Sequence, residues 1–140
     1  MAFFSKYPST DIEITTKQII LEYGSILVEN EKIEKAVKIE RDKLICTNYR
    51  ILLITLRKNG KYEFLSVPYS SIKTFSMVGD SVNDVNAELN IWIINAVKPI
   101  TTRFRNSQSA RDIYQIVGKY IFAGDPVNED LILSFPKTNG

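Results

Sequence analysis

The sequence predicts a mainly β domain with a helix at each end: one helix, about seven strands, then a second helix. Two observations carry that reading. Between residues 32 and 105, short runs rich in Ile, Leu, Val, Tyr and Phe recur with turn residues between them, which argues for a sandwich or a small, partly open barrel. On either side, apolar residues repeat at spacings of three and four, the signature of a helix with one buried stripe. The second helix follows the last strand directly, and an open end of the barrel is the natural cover for its stripe.

Residues 1 to about 14 are polar, with Pro8, Ser9, Thr10 and Asp11, and read as a loose start. Thr15 and Gln18 match a capping box, which satisfies orphan amides at a helix N-terminus. Ile19, Ile20, Tyr23, Ile26 and Leu27 then form one stripe, interrupted by Gly24. Strands follow at 32–41, 43–46, 50–56, 61–67, 73–78, 88–95 and 100–105. Asn59-Gly60 between the third and fourth predicts a type I′ hairpin, because both residues tolerate positive φ. A helix opens at Ser107 or Ser109 and carries Ile113, Ile116, Val117, Tyr120 and Ile121 on one face; Gly124-Asp125-Pro126 stops it.

Composition excludes several classes. The 140 residues suffice for one ordinary core. A net charge of +2 is too small for a nucleic-acid binder. With no histidine, no Cys-x-x-Cys and only scattered glycines, no catalytic residue, cofactor site or metal site is assigned. Asp80, Asn83, Asp84, Asn86 and Glu88 are oxygen ligands in principle, but their spacing fits no EF-hand loop and reads as a strand connection. The lone cysteine allows no internal disulfide, and no apolar run is long enough for a signal peptide or a membrane span. The expected location is cytoplasmic, with peripheral membrane contact as the variant.

Cys46 lies in "RDKLICTNYRILLI" (41–54), inside an apolar strand and without a base to activate it. It reads as a small buried hydrophobe, and Thr47-Asn48-Tyr49-Arg50 as a turn between two strands. This stretch, "SVPYSSIKTFSM" and "NAELNIWI" resemble, in that order, the bacterial pleckstrin-homology (PH) domain family. The Thr-Asn-x-Arg turn is similar to the first hairpin of that family and its GRAM-type relatives. The resemblance runs from Glu29 to Phe122. It implies a PH-like, seven-stranded, partly open barrel of two near-orthogonal antiparallel sheets, capped by a C-terminal helix. The expected organisation is an N-terminal extension over 1–28, the PH-like domain over 29–123 and a tail over 124–140.

A binding role without catalysis follows, and two surfaces are candidates. The strands at 50–56, 61–67 and 88–95 are apolar on both faces, and an antiparallel sheet needs only one buried face. The second face is covered by the N-terminal helix, by the tail around Leu131 to Phe135, or by another copy. We expect self-association through Trp92, Ile94, Leu52 and Ile54, with Trp92 as the aromatic anchor. The resemblance implies the same, since members of that family are thought to form closed rings; a protein partner is a further expectation. The second surface is basic: Lys38, Arg41 and Lys43 match the loop that eukaryotic relatives use for phosphoinositides, here diluted by Glu40 and Asp42. Arg57, Lys58 and Lys61 form a plainer cluster, a weak attraction for an anionic membrane surface.

Overall fold

The computed structural model describes residues 11–79 and 86–123. Eight strands run in order: β1 (Asp11–Glu13), β2 (Ile33–Ile39), β3 (Asp42–Thr47), β4 (Arg50–Leu56), β5 (Tyr62–Pro68), β6 (Ile72–Val78), β7 (Ala87–Ile93) and β8 (Ile100–Phe104). Helix α1 (Thr16–Tyr23) lies between β1 and β2, and α2 (Ser107–Phe122) follows β8. The strands make two antiparallel sheets, β1-β2-β3-β4-β5 and β6-β7-β8. No pairing joins the two among the described residues, so the sheets face each other without closing into a barrel. The expected seven strands are all present. The eighth, β1, occupies part of what the sequence reads as a loose start, held by its register against β2 (Asp11↔Ile39 to Glu13↔Val37).

Register explains the two cores. Val37, Leu44 and Leu53 align across β2, β3 and β4, as do Cys46, Ile51 and Val67 across β3, β4 and β5. These point inward, toward Leu89, Ile91 and Phe104 of the second sheet and Ala110, Ile113 and Val117 of α2. Alternation sends their neighbours Ala36, Ile45, Leu52 and Ile54 to the outer face. There Ile14 and Ile19 complete a second, smaller core with Tyr23, Ile26 and Ile33 around it. The first sheet is therefore buried on both faces at β2–β4.

The helices differ in how well the pattern foretold them. α2 is capped by Asn106, whose side chain accepts from the Gln108 amide at 2.9 Å, and its expected stripe lies on the main core. Thr15 caps α1, accepting from the Gln18 amide at 3.2 Å. α1 nonetheless ends at Tyr23, and Gly24–Ile26 form a 3₁₀ turn. The buried stripe is narrower than expected: Ile19 is buried with Tyr23 and Ile26 packed around the same core, while Ile20, the next position round the helix, is 52% exposed.

The hairpin at residues 57–61 also departs from expectation. Gly60 has φ +82°, whereas Asn59 is not among the positive-φ residues. The Gly60 amide donates to the Arg57 carbonyl and the Arg57 amide to the Lys61 carbonyl. This is a turn followed by a left-handed glycine, with the Asn59 side chain accepting from the Lys61 amide at 3.0 Å. The asparagine works through its side chain instead of its φ.

The Thr47–Arg50 turn is a junction. Thr47 Oγ1 accepts from the amides of Tyr49 and Arg50 and donates to Glu31 Oε2 at 2.6 Å. Arg50 grips Glu31 through Nε and a terminal nitrogen, each at 2.9 Å, and also donates to the Ile26 carbonyl. The Asn48 side chain accepts from the Lys32 amide at 2.7 Å and donates to the Asn30 carbonyl. One short turn thus fastens the whole connection from α1 to β2. The Glu31 side chain is fully shielded from solvent. Burial pushes its carboxyl up, but the bonds from Arg50, Thr47 and the Val28 amide outweigh it and hold the group below its ordinary value.

Candidate functional site

The residues singled out in the sequence fall in three places. Trp92 and Ile94 stay at the surface, 36% and 51% exposed. Leu52 and Ile54 do not: each is 1% exposed, inside the small core beneath α1. They are corrected from interface to core, because α1 already covers the outer face at β4.

The outer face of the second sheet is mostly polar. Asn90 donates to Glu88 and accepts from Thr101, and Arg103 donates to Glu88 at 3.0 Å. Trp92 lies at the end of β7, and Ile94 and Val97 in the turn that follows are 51% and 89% exposed.

A row of exposed apolar side chains lies on β5. This strand is an edge of the five-stranded sheet, and Tyr62, Phe64 and Leu65 are 52%, 46% and 41% exposed. Phe64 pairs with Ile54 and Leu65 with Leu53, so apolar side chains stand on both faces. Tyr23 of α1 meets the Phe64 ring edge-on at 6.2 Å between centroids, and α1 extends no cover beyond it. The sequence marked this strand as two-faced but left it out of the interface residues.

The basic residues divide. Antiparallel order puts the 40–41 and 57–61 turns at the same end of the first sheet. Lys38, Arg41, Lys58 and Lys61 are exposed there. Lys43 is committed to α1: its ammonium donates to the Tyr23 hydroxyl at 2.9 Å and sits 5.3 Å from the ring centroid. Arg57 is bonded to Glu63 at 2.8 Å. Those two are already occupied within the chain, whereas Lys38, Arg41, Lys58 and Lys61 make no ion pair among the described residues.

Lys35, Glu13 and Asp112 are paired with one another. Lys35, its side chain 8% exposed, donates to Glu13 at 3.1 Å and Asp112 at 3.0 Å, tying β1, β2 and α2 together. Burial lowers its affinity for the proton, yet the two carboxylates reverse that and raise it above the ordinary lysine value. Asp112 moves down: burial raises it, and the bonds from Gln108 and Lys35 prevail. Among the described residues no three or more His, Cys, Asp or Glu gather as a metal site; residues 80–85 of the acidic connection lie outside them. No described helix is long and apolar enough to cross a membrane.

Cys46 is fully buried, and burial pushes its thiol up to about 12. The native protein is therefore expected to resist an aromatic disulfide reagent at pH 8 and to take up one equivalent in denaturant. Rapid labelling of the native protein would contradict its placement.

Comparisons with known proteins agree with this architecture. A family model described as "Bacterial PH domain" matches residues 2–121. The uncharacterised protein YjqA of Bacillus subtilis (strain 168) is 36% identical over 109 residues, covering 74% of this chain and 86% of its own. A crystal structure of a DUF1696-family protein with a pleckstrin-homology domain, from Shewanella loihica, matches with a TM-score of 0.72 at 26% identity. That match covers 81% of this chain and 98% of the other. A pleckstrin-homology domain from Shewanella amazonensis matches with a TM-score of 0.65 at 24% identity, over 86% and 96% of the two chains; this likeness shows the fold alone. The chain belongs to the bacterial PH domain family.

Proposed function

We propose that the protein is a non-catalytic binding scaffold that self-associates through the free edge of β5 into a symmetric homo-oligomer and offers its remaining surface to a protein partner. The observation that carries this is the seven-residue edge strand with Tyr62, Phe64 and Leu65 exposed on both its faces. A long apolar edge with unpaired backbone groups is a template for another chain. Soluble proteins blunt such edges, and here the charges that would do so are few: Glu63 is already tied to Arg57. The other edge, β1, is only three residues long and carries Ile12 at 59% exposure. Pairing β5 with β5 gives a two-fold dimer; pairing β5 with β1 of the next copy propagates head to tail, into a ring where the rotation between copies closes.

Light scattering on a sizing column tests this. The native chain should show a multiple of 16.0 kDa. Phe64→Lys should reduce it to the monomer with the fold intact, while Trp92→Glu leaves it unchanged. The reverse pattern moves the interface to Trp92, and a native monomer contradicts self-association.

A second reading rests on the two hairpin tips that place Lys38, Arg41, Lys58 and Lys61 at one end. Each cation near an anionic membrane contributes about 1 kcal/mol. Vesicles containing phosphatidylserine should then carry the protein upward on flotation at low salt and release it as salt rises. No flotation at low salt eliminates this reading.

A further inference from the structure

The second sheet carries a separate groove. It runs between β6, an edge strand, and α2, holds about 590 Å3 and shares no residue with β5. That volume lies within the range of small-molecule sites, about 300–1,000 Å3. Phe75, Tyr114 and Phe122 form its apolar wall, with ring centroids 4.9 Å apart for the first pair and 6.2 Å for Phe75 and Phe122. Phe122 is 57% exposed. Gly118 lies among them in the interior of α2, where glycine is the least favourable residue after proline. A Cβ there would lie 3.5 Å from the Phe75 ring, so any side chain longer than alanine's would fill the groove.

Charge and register mark the class of occupant. Lys73 and Lys119 line the groove, and among the described residues no carboxylate does. Lys119 already meets Glu34 at 3.2 Å, whereas Lys73 makes no ion pair among the described residues. Lys73 also sits where the ladder slips: Ile72 pairs with Ile93, but Thr74 pairs with Trp92. A bulge carrying a lysine blunts an edge against a further strand, so a peptide strand suits this edge poorly. A bulge also re-aims side chains, and here both Lys73 and Thr74 border the groove. The helical wall from Tyr114 to Phe122 is ~12 Å long, the span of about ten carbons in an extended chain with ~1.5 Å bonds.

We propose that this groove binds a medium-chain fatty acid, its carboxylate on Lys73 and Thr74 and its alkyl chain along Phe75, Tyr114 and Phe122. The aromatic wall takes the chain out of water. The lysine gives the head a charge-assisted hydrogen bond, and the threonine hydroxyl a second donor.

Titration calorimetry of the full chain with decanoate, below its micelle concentration, tests this. One equivalent should bind, with the same affinity at low and at high protein concentration. Decyltrimethylammonium, the same chain with a cationic head, should bind about tenfold or more weakly. Gly118→Leu, which fills the groove, should abolish decanoate binding while the amides of β3 and β4 stay protected from exchange. Lys73→Glu, on an exposed edge, should weaken decanoate about tenfold or more and remove its advantage over the cation. That variant decides the matter if Gly118→Leu disturbs β3 and β4. An absence of saturable decanoate binding overturns the proposal. So does equal affinity of the native chain for the two amphiphiles, binding that survives both variants, or binding that weakens as the protein is concentrated, which would place a second copy in the groove.

Discussion

Arg50→Ala should destabilise the domain by about 3 kcal/mol, measured by urea unfolding at pH 7. Removing one partner of a buried ion pair leaves the other charged and unsolvated, which costs about 3–5 kcal/mol. Glu31 is fully shielded but lies near the surface, so the lower end applies. Acid provides an independent check. In the native protein the Glu31 carboxyl is held below its ordinary value of 4.5, so its contribution is present above that pH and is lost as pH falls through the folded value. Without Arg50, burial instead raises the carboxyl, and protonation relieves the variant. The difference in stability between the two proteins should therefore narrow on acidification from pH 7 toward 4. Asp112, also depressed, is common to both and cancels. A constant difference would mean that the loss is one of packing.

Phe104→Ala should cost about as much or more, about 3–5 kcal/mol. Phe104 is fully buried, the bulkiest such side chain among the described residues. Its partner across the sheet is Ala87, whose small side chain leaves room for the ring beneath α2. Truncation there opens a cavity between the second sheet and the helix that rigid strands cannot collapse into. Phe104→Leu, which keeps most of the volume, should lose less than half as much. Equal losses would show that the ring's shape, rather than its volume, holds the two layers together.

Much of this fold is legible in the sequence, because the signals for it are local. The α2 stripe, the strands from residue 33 to 104 and the Thr47–Arg50 turn each depend on residues within one element. What escaped depends on distance. β1 is three residues whose strand geometry comes from pairing with β2. Glu31 meets Arg50 across 19 positions, with no periodic signal to announce it. The two-faced apolar pattern is the clearest case. β4 and β5 share it, yet β4 is buried on both faces, inward at Ile51 and outward at Leu52 and Ile54, while β5 is exposed from Tyr62 to Ser66. α1 has eight residues, ~12 Å at helical rise, and adjacent strands stand ~4.8 Å apart, so it covers the central strands and stops at Phe64. The pattern identifies strands that need cover; the length of α1 decides which of them receive it.

The proposed site follows from that shortfall, and amide hydrogen exchange along β5 tests it most directly. Among the described residues, no strand bonds the amides of residues 62–67 that face away from β4. If β5 is paired with another copy, these amides are protected at micromolar concentration, and the protection is lost in Phe64→Lys while the β4-facing amides keep theirs. If they exchange at open-chain rates in the native protein at every concentration, the β5 edge is not the surface through which this scaffold assembles.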